Sequence, residues 1–240
     1  MLRTGIIAIF LVFYFLVSLP MYVVIPIIGR FDGRRADWMS QHMVTWALGV
    51  IIFLSGVKVT VNGADNIPAD QAVLFICNHR SYFDIITTYP QMISLTGYVA
   101  KDSINDVPLF KYWMPLLHGL TFDRDDPRSG MKMILAAVDQ IKSGYSMFIF
   151  PEGTRSKDGS LGEFKAGSFK IATKTDCPIV PVAITGTAAI FEDHLPIVKP
   201  SDVTITFLEP IIPSQMAPDD KKHIGVYVRS IVADAIEKQS

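Results

Sequence analysis

A histidine and an aspartate five positions apart, His79 and Asp84 in Asn78-His79-Arg80-Ser81-Tyr82-Phe83-Asp84, are the side chains best suited to do chemistry. A carboxylate that reaches one imidazole nitrogen fixes the tautomer and raises the basicity of the other nitrogen, which equips the ring to take a proton from a hydroxyl. The spacing sets a condition. Each helical residue turns the chain by about 100°, so on one uninterrupted helix the two side chains sit roughly 140° apart and never meet. They meet if His79 lies in a loop and Asp84 in the first turn of a helix. The same residues also read as a helix start, Ser81-x-x-Asp84, in which Asp84 only caps. On the residues alone both readings stay open.

Two more polar clusters follow apolar runs. In Gly119-Leu120-Thr121-Phe122-Asp123-Arg124 an acid and a base stand together, which reads first as a surface ion pair. Phe150-Pro151-Glu152-Gly153-Thr154-Arg155-Ser156 has proline and glycine at the second and fourth positions of a type I turn. It also reads as an anion cradle. Arg155 offers a planar fork to a phosphate, Thr154, Ser156 and the turn's N–H groups add donors, and Glu152 is free to hold Arg155 or a substrate hydroxyl in place.

These clusters need elements to position them. Apolar, β-rich runs occur at 57–61, 73–77, 97–100, 119–122, 147–150, 179–184 and 203–207, with helical patterns between several of them. One helix opens at Asp126-Pro127, carries Met131, Ile134, Leu135, Val138 and Ile141 on a stripe and stops at Gly144. Another runs from about Asp219 to Lys238, with Ile224, Tyr227, Val228, Ile231, Ala235 and Ile236 facing inward. This alternation predicts an α/β fold, a mixed, largely parallel sheet flanked by helices. Ligands in such sheets bind beyond the strand ends, where all three clusters fall.

The N-terminus differs from the rest. Residues 1–57 carry only Arg3, Arg30, Asp32, Arg34, Arg35 and Asp37 as charges, and none falls between Gly5 and Gly29. That run would extend about 37 Å as helix, enough for a bilayer core of roughly 30 Å. Pro20 and Pro26 interrupt it, so a kinked span and a half-buried hairpin compete, and a cleaved signal peptide ranks behind both. The shorter run 44–57 suits a helix in the membrane plane or packed on the first one. The expected division is a hydrophobic helical membrane anchor over 1–57 and an α/β domain over 58–240. Arg30, Arg34 and Arg35 outnumber Arg3, which puts the α/β domain on the cytoplasmic side, at the inner membrane of the cell.

Composition excludes other classes. The chain has 240 residues, a formal charge of −1 and 50% hydrophobic residues, so it is neither a disordered tail nor a polybasic nucleic-acid binder. Cys77 and Cys177 form no CxxC and no cluster with histidine, so no metal site is expected, and His118 and His194 read as an ordinary core and loop histidine. There is no G-x-S-x-G elbow, no phosphate loop, no G-x-G-x-x-G and no H-E-x-x-H; Ser146 lacks the elbow's last glycine. A base without an enzyme nucleophile, an anion site and a membrane anchor together point to direct attack by a substrate hydroxyl on an activated acyl group.

The run Asn78-His79-x-x-x-x-Asp84, then Phe122-Asp123-Arg124, then Phe150 to Ser156, then Val180-Pro181-Val182-Ala183-Ile184 resembles the four ordered motifs of the glycerolipid acyltransferases, nearest to those that acylate 1-acyl-glycerol 3-phosphate. The resemblance implies transfer of a fatty acyl chain from acyl-CoA or acyl-carrier protein to the sn-2 hydroxyl of lysophosphatidic acid, giving phosphatidic acid, with no cofactor and with membrane lipids as surroundings. It implies that His79 is the general base and Asp84 its orienting partner. Arg124, Glu152, Gly153 and Arg155 match positions that bind the glycerol phosphate, as does Lys101 more loosely, and Thr154 stands in the same run. Glycerol 3-phosphate or another lysophospholipid is the alternative acceptor. A non-catalytic anionic-lipid binder would need only the arginines, and a lipid hydrolase lacks its nucleophile.

Overall fold

The computed structural model describes residues 1–156 and 158–239. Three helices open the chain, α1 (Leu2–Ser18), α2 (Met21–Gly29) and α3 (Gly33–Ser55), and are followed by β1 (Lys58–Asn62), β2 (Leu74–Cys77), α4 (Phe83–Thr88) and β3 (Thr96–Lys101). Next come α5 (Pro108–Leu116), β4 (Leu120–Phe122), α6 (Pro127–Lys142), β5 (Ser146–Ile149), α7 (Lys170–Thr175) and β6 (Ile179–Thr185). The chain closes with β7 (Asp202–Phe207), α8 (Pro218–Lys222) and α9 (Ile224–Gln239). Each strand matches its expected run to within one residue at either end.

The sheet order is β1-β7-β6-β2-β5-β3-β4. The strands β6, β2, β5, β3 and β4 run parallel; β7 is antiparallel to β6, and β1 is parallel to β7. β2 and β5 are buried along their whole length, as expected of central strands covered on both faces. Pro181 sits inside β6 although it has no N–H to give to a ladder. Its carbonyl accepts from Leu208 N, just where the chain after β7 leaves the ladder before rejoining it at Ile179 and Ile211, so the missing donor falls in that gap.

Alternation sends successive strand residues to opposite faces. On one face Phe75, Cys77, Tyr98, Phe148, Val180, Val182, Ile205 and Phe207 pack with Ile7, Ile51 and Val57 from the N-terminal helices. On the other face Leu74, Ile76, Met147, Ile149, Ile179 and Ala183 pack against α6, α7 and α9. Two expected helix faces are corrected. Asp126 caps α6 as foreseen, accepting from Arg128 N at 2.9 Å, but Met131 and Leu135 are nearly half exposed. The buried stripe is Met133, Ile134, Ala137, Val138 and Ile141, because fully buried Ala137 lets the helix approach the sheet closely. The last helix is two, broken at His223, and its inner face is Ile224, Gly225, Val228, Val232 and Ala235 rather than Tyr227 and Ile231. A Cβ at Gly225 would lie 2.7 Å from the Phe164 carbonyl oxygen, and that close approach sets the helix's rotation.

The N-terminal apolar run is bent, as its two prolines predict, and both of its halves pack on α3. α1 and α2 meet at a 48° bend at Leu19-Pro20, and α3 alone is long and apolar enough, among the described residues, to cross a membrane. Arg3 donates to the Leu54 carbonyl and lies over Gly56, which ends α3 in the left-handed conformation. It thereby supplies a cation to the helix C-terminus. Asp37 of α3 accepts from the Tyr145 hydroxyl at 2.8 Å and pairs with His118 at 3.1 Å, so His118 is a tie between α3 and the α/β layers rather than an isolated core histidine.

Candidate active site

The chain after β2 crosses to β3, beyond β5, while the chain after β5 crosses to β6, on the far side of β2. The connections leave in opposite directions, which opens a crevice at the carboxyl ends of β2 and β5. Ile76 pairs with Ile149, and continuing that register three residues past the pair sets His79 opposite Glu152.

Asn78 fixes the exit of β2. Its amide nitrogen donates to the Ile184 carbonyl and its oxygen accepts from Ile184 N, both at 2.9 Å, so a side chain continues the ladder to β6 for one more step. The loop that follows holds His79, and Asp84 lies in the first turn of α4. His79 Nδ1 is 2.7 Å from Asp84 Oδ2. The same oxygen accepts from Arg80 N at 2.7 Å and Ser81 N at 2.8 Å, and Asp84 Oδ1 accepts from the Thr187 hydroxyl at 2.6 Å. Both readings of the motif hold at once: the carboxylate that caps the turn is the one that holds the imidazole. The ring stacks on Phe150, centroids 4.0 Å apart.

Glu152 corrects an expectation. Among the described residues it makes no ion pair with Arg155; Oε1 accepts from His79 N at 2.7 Å and Oε2 from Gly162 N at 2.9 Å. Burial raises its pKa, opposed by those two N–H groups. Its place is under the loop, as a brace for the His79 backbone. The expected turn forms, with Gly153 N donating to the Phe150 carbonyl, and Gly153 is in the left-handed region at φ 75° with Lys165 packed over it. Thr154 is exposed, and Ser156 is engaged by the protein itself, its N–H on the His79 carbonyl and its hydroxyl on Asp158.

Arg155 lies over the Tyr82 ring, 3.8 Å from guanidinium carbon to centroid. Nη2 donates to the Tyr82 hydroxyl at 3.1 Å and Nη1 to Glu192 Oε1 at 3.0 Å. Partial burial lowers the pKa of Arg124, and the positive charge of Arg155 lowers it further against the pull of Asp102, which brings two arginines into one field. Among the described residues Arg124 makes no ion pair with Asp123, whose carboxylate accepts from Asp125 N instead. Lys101 ends β3 in register with Phe122 of β4, two residues before Arg124, so both cations leave adjacent strand ends. Sequence reasoning missed Thr187 and Glu192. Their signal was position alone: both follow the exit of β6, as the other clusters follow β2, β4 and β5.

Cys77 is fully buried, and burial pushes its thiol pKa well up, helped by the negative charges of Asp84 and Glu152. A neutral buried thiol is a poor nucleophile. Among the described residues no group of three or more His, Cys, Asp or Glu side chains is arranged to hold a metal ion.

The acyltransferase family model matches residues 58–185, which include all four motifs. The chain is 33% identical over 195 residues to the chloroplastic 1-acyl-sn-glycerol-3-phosphate acyltransferase of Brassica napus, covering 79% of this chain and 55% of that one. It is 33% identical over 180 residues to the chloroplastic enzyme of the same name from Arabidopsis thaliana, covering 72% and 50%. The chain thus spans about half the length of these relatives. The crystal structure of the 1-acyl-sn-glycerophosphate acyltransferase from Thermotoga maritima shares the fold, with a TM-score of 0.77 at 23% identity over 99% of this chain and 97% of that one. The chain belongs to the acyltransferase family.

Proposed function

We propose that the protein transfers a fatty acyl group from acyl-CoA or acyl-carrier protein to the sn-2 hydroxyl of 1-acyl-sn-glycerol 3-phosphate, giving phosphatidic acid. The observation that carries this reading is the 2.7 Å contact between His79 and an Asp84 carboxylate held by three further donors. Asp84 keeps the proton on Nδ1, leaving Nε2 as the base. Nε2 takes the hydroxyl proton as the oxygen attacks the thioester carbonyl. The tetrahedral intermediate then expels the thiolate, which recovers a proton from the imidazolium, so ester and thiol leave and the histidine returns to its starting state. Arg155, Arg124 and Lys101 receive the phosphate. Gly153 and Thr154 shape that loop, and Glu152 contributes by holding it rather than by touching substrate. The names borne by the relatives support the choice of acceptor.

Acceptor and product are lipids, and lifting a chain from a bilayer costs about 0.8 kcal/mol per CH₂, so a site held against the membrane avoids that cost. We assign residues 1–57 as the membrane anchor and the cytoplasmic face of the inner membrane as the location. The support is the outward apolar surface of these helices, where Ile9, Phe13, Leu16, Val23, Trp46 and Phe53 are all more than half exposed. The test supplies purified protein with lysophosphatidic acid, glycerol 3-phosphate and larger-headed lysophospholipids, each with both donors, and identifies products by mass. Phosphatidic acid as the dominant product supports the reading. Acylation of glycerol 3-phosphate alone, release of free fatty acid alone, or binding without product each contradicts it.

A further inference from the structure

Glu192 touches both halves of the candidate site. Oε1 accepts from Arg155 Nη1 at 3.0 Å and from Tyr82 N at 2.8 Å, and Oε2 accepts from the Ser81 hydroxyl at 2.5 Å. Its side chain is 16% exposed against 35% for Arg155. Two of the three donors belong to the turn between His79 and Asp84, so the carboxylate is a fixed point on that turn. Arg155, the third, is fixed relative to it. The Tyr82 ring beneath the guanidinium and its hydroxyl on Nη2 remove the remaining rotation.

A guanidinium carries five N–H donors. Among the described residues two are spent, on Glu192 and Tyr82, which leaves Nε and one hydrogen on each terminal nitrogen for a ligand. A fork locked before binding loses less conformational freedom when it takes a phosphate. We propose that Glu192 is a positioning residue: through Arg155 it sets the acceptor's phosphate at a fixed place relative to the His79–Asp84 turn, and so selects acceptors whose phosphate and attacking hydroxyl span that distance. This rests on the reading of Arg155 as a phosphate ligand.

The test is a double-mutant cycle on the full chain with lysophosphatidic acid and acyl-CoA. Glu192→Gln keeps the shape and loses the charge, and it should raise the acceptor KM at least about fivefold, leave the donor KM within about twofold, and shift the melting temperature little. Glu192→Asp keeps the charge, shortens the reach and should fall between. In an Arg155→Ala background Glu192→Gln should add no more than about twofold, because the arm it acts through is gone. A full Glu192→Gln penalty in that background, or equal rises in both KM values, overturns the proposal. Arg155→Ala with an unchanged acceptor KM removes the phosphate reading itself, a result separable from additivity in the cycle.

Discussion

Thr187 donates to Asp84 Oδ1 at 2.6 Å while the other oxygen of that carboxylate lies 2.7 Å from His79 Nδ1. Thr187 is buried and follows β6, more than a hundred residues from Asp84, so a long-range contact joins the local donors Arg80 N and Ser81 N in orienting the carboxylate that holds the His79 ring. Thr187→Val preserves shape and removes the donor. A hydrogen bond to a charged group is worth about 1.5–3 kcal/mol, so the variant should melt lower, and a loosened carboxylate should lower kcat by roughly tenfold. Thermal melts with steady-state kinetics check this; a lower melting point at full kcat would make Thr187 purely structural.

The brace under the loop makes a separate prediction. In Glu152→Gln one of the two accepting oxygens becomes an amide group facing a backbone donor, His79 N or Gly162 N. An unsatisfied buried group costs about 1–3 kcal/mol, and a chain of this size loses roughly 2–4 °C per kcal/mol. A clear drop in melting temperature, with both KM values near wild type, is expected. A selective rise in acceptor KM would instead mean that Glu152 contacts substrate.

Direct transfer predicts that no acyl-enzyme accumulates when donor is supplied alone. Cys77 directly precedes the motif, yet it is buried with its pKa pushed up. Intact-protein mass spectrometry after incubation with acyl-CoA should show the unmodified mass. A stoichiometric acyl adduct on any Ser or Cys would contradict the one-step scheme.

Membrane attachment is tested at the surface rather than by truncation. Ile7, Ile51 and Val57 lie in the same apolar cluster as Phe75 and Phe148, so removing residues 1–57 would uncover the core. Ile9, Phe13 and Phe53 are 72%, 56% and 81% exposed and can become serine with little loss of packing. Burying one such side chain is worth about 1.5–3 kcal/mol, so the triple variant should bind phospholipid vesicles at least tenfold more weakly at an unchanged melting temperature. Unchanged vesicle binding would show that another surface carries attachment.

Much of this molecule was legible in its sequence because the signals are local. Apolar runs located all seven strands, and the Asp126-Pro127 start located α6. The rotation argument about five residues set the condition for the His79–Asp84 contact, a loop followed by a first helical turn, and left open whether Asp84 reached the ring or only capped. What escaped depends on residues remote in sequence. Of the two roles offered for Glu152, holding Arg155 or a substrate hydroxyl, the first is not the one seen: Gly162 N and His79 N donate to its oxygens and Glu192 takes the arginine, an exchange of carboxylates that no local pattern records. The rotation of α9 was misjudged because apolar size favoured Tyr227 and Ile231, whereas the close approach permitted by Gly225 decided the face. Arg3, counted as a flanking charge of a membrane segment, is engaged at the end of α3.

The central claim is that His79 acts in the chemical step. Steady-state kinetics of His79→Ala, with lysophosphatidic acid varied at saturating donor, test it most directly. The account predicts a fall in kcat of at least about 10²-fold with the acceptor KM within a few-fold of wild type. A variant that keeps wild-type turnover, or that loses activity only through a raised KM, would contradict it.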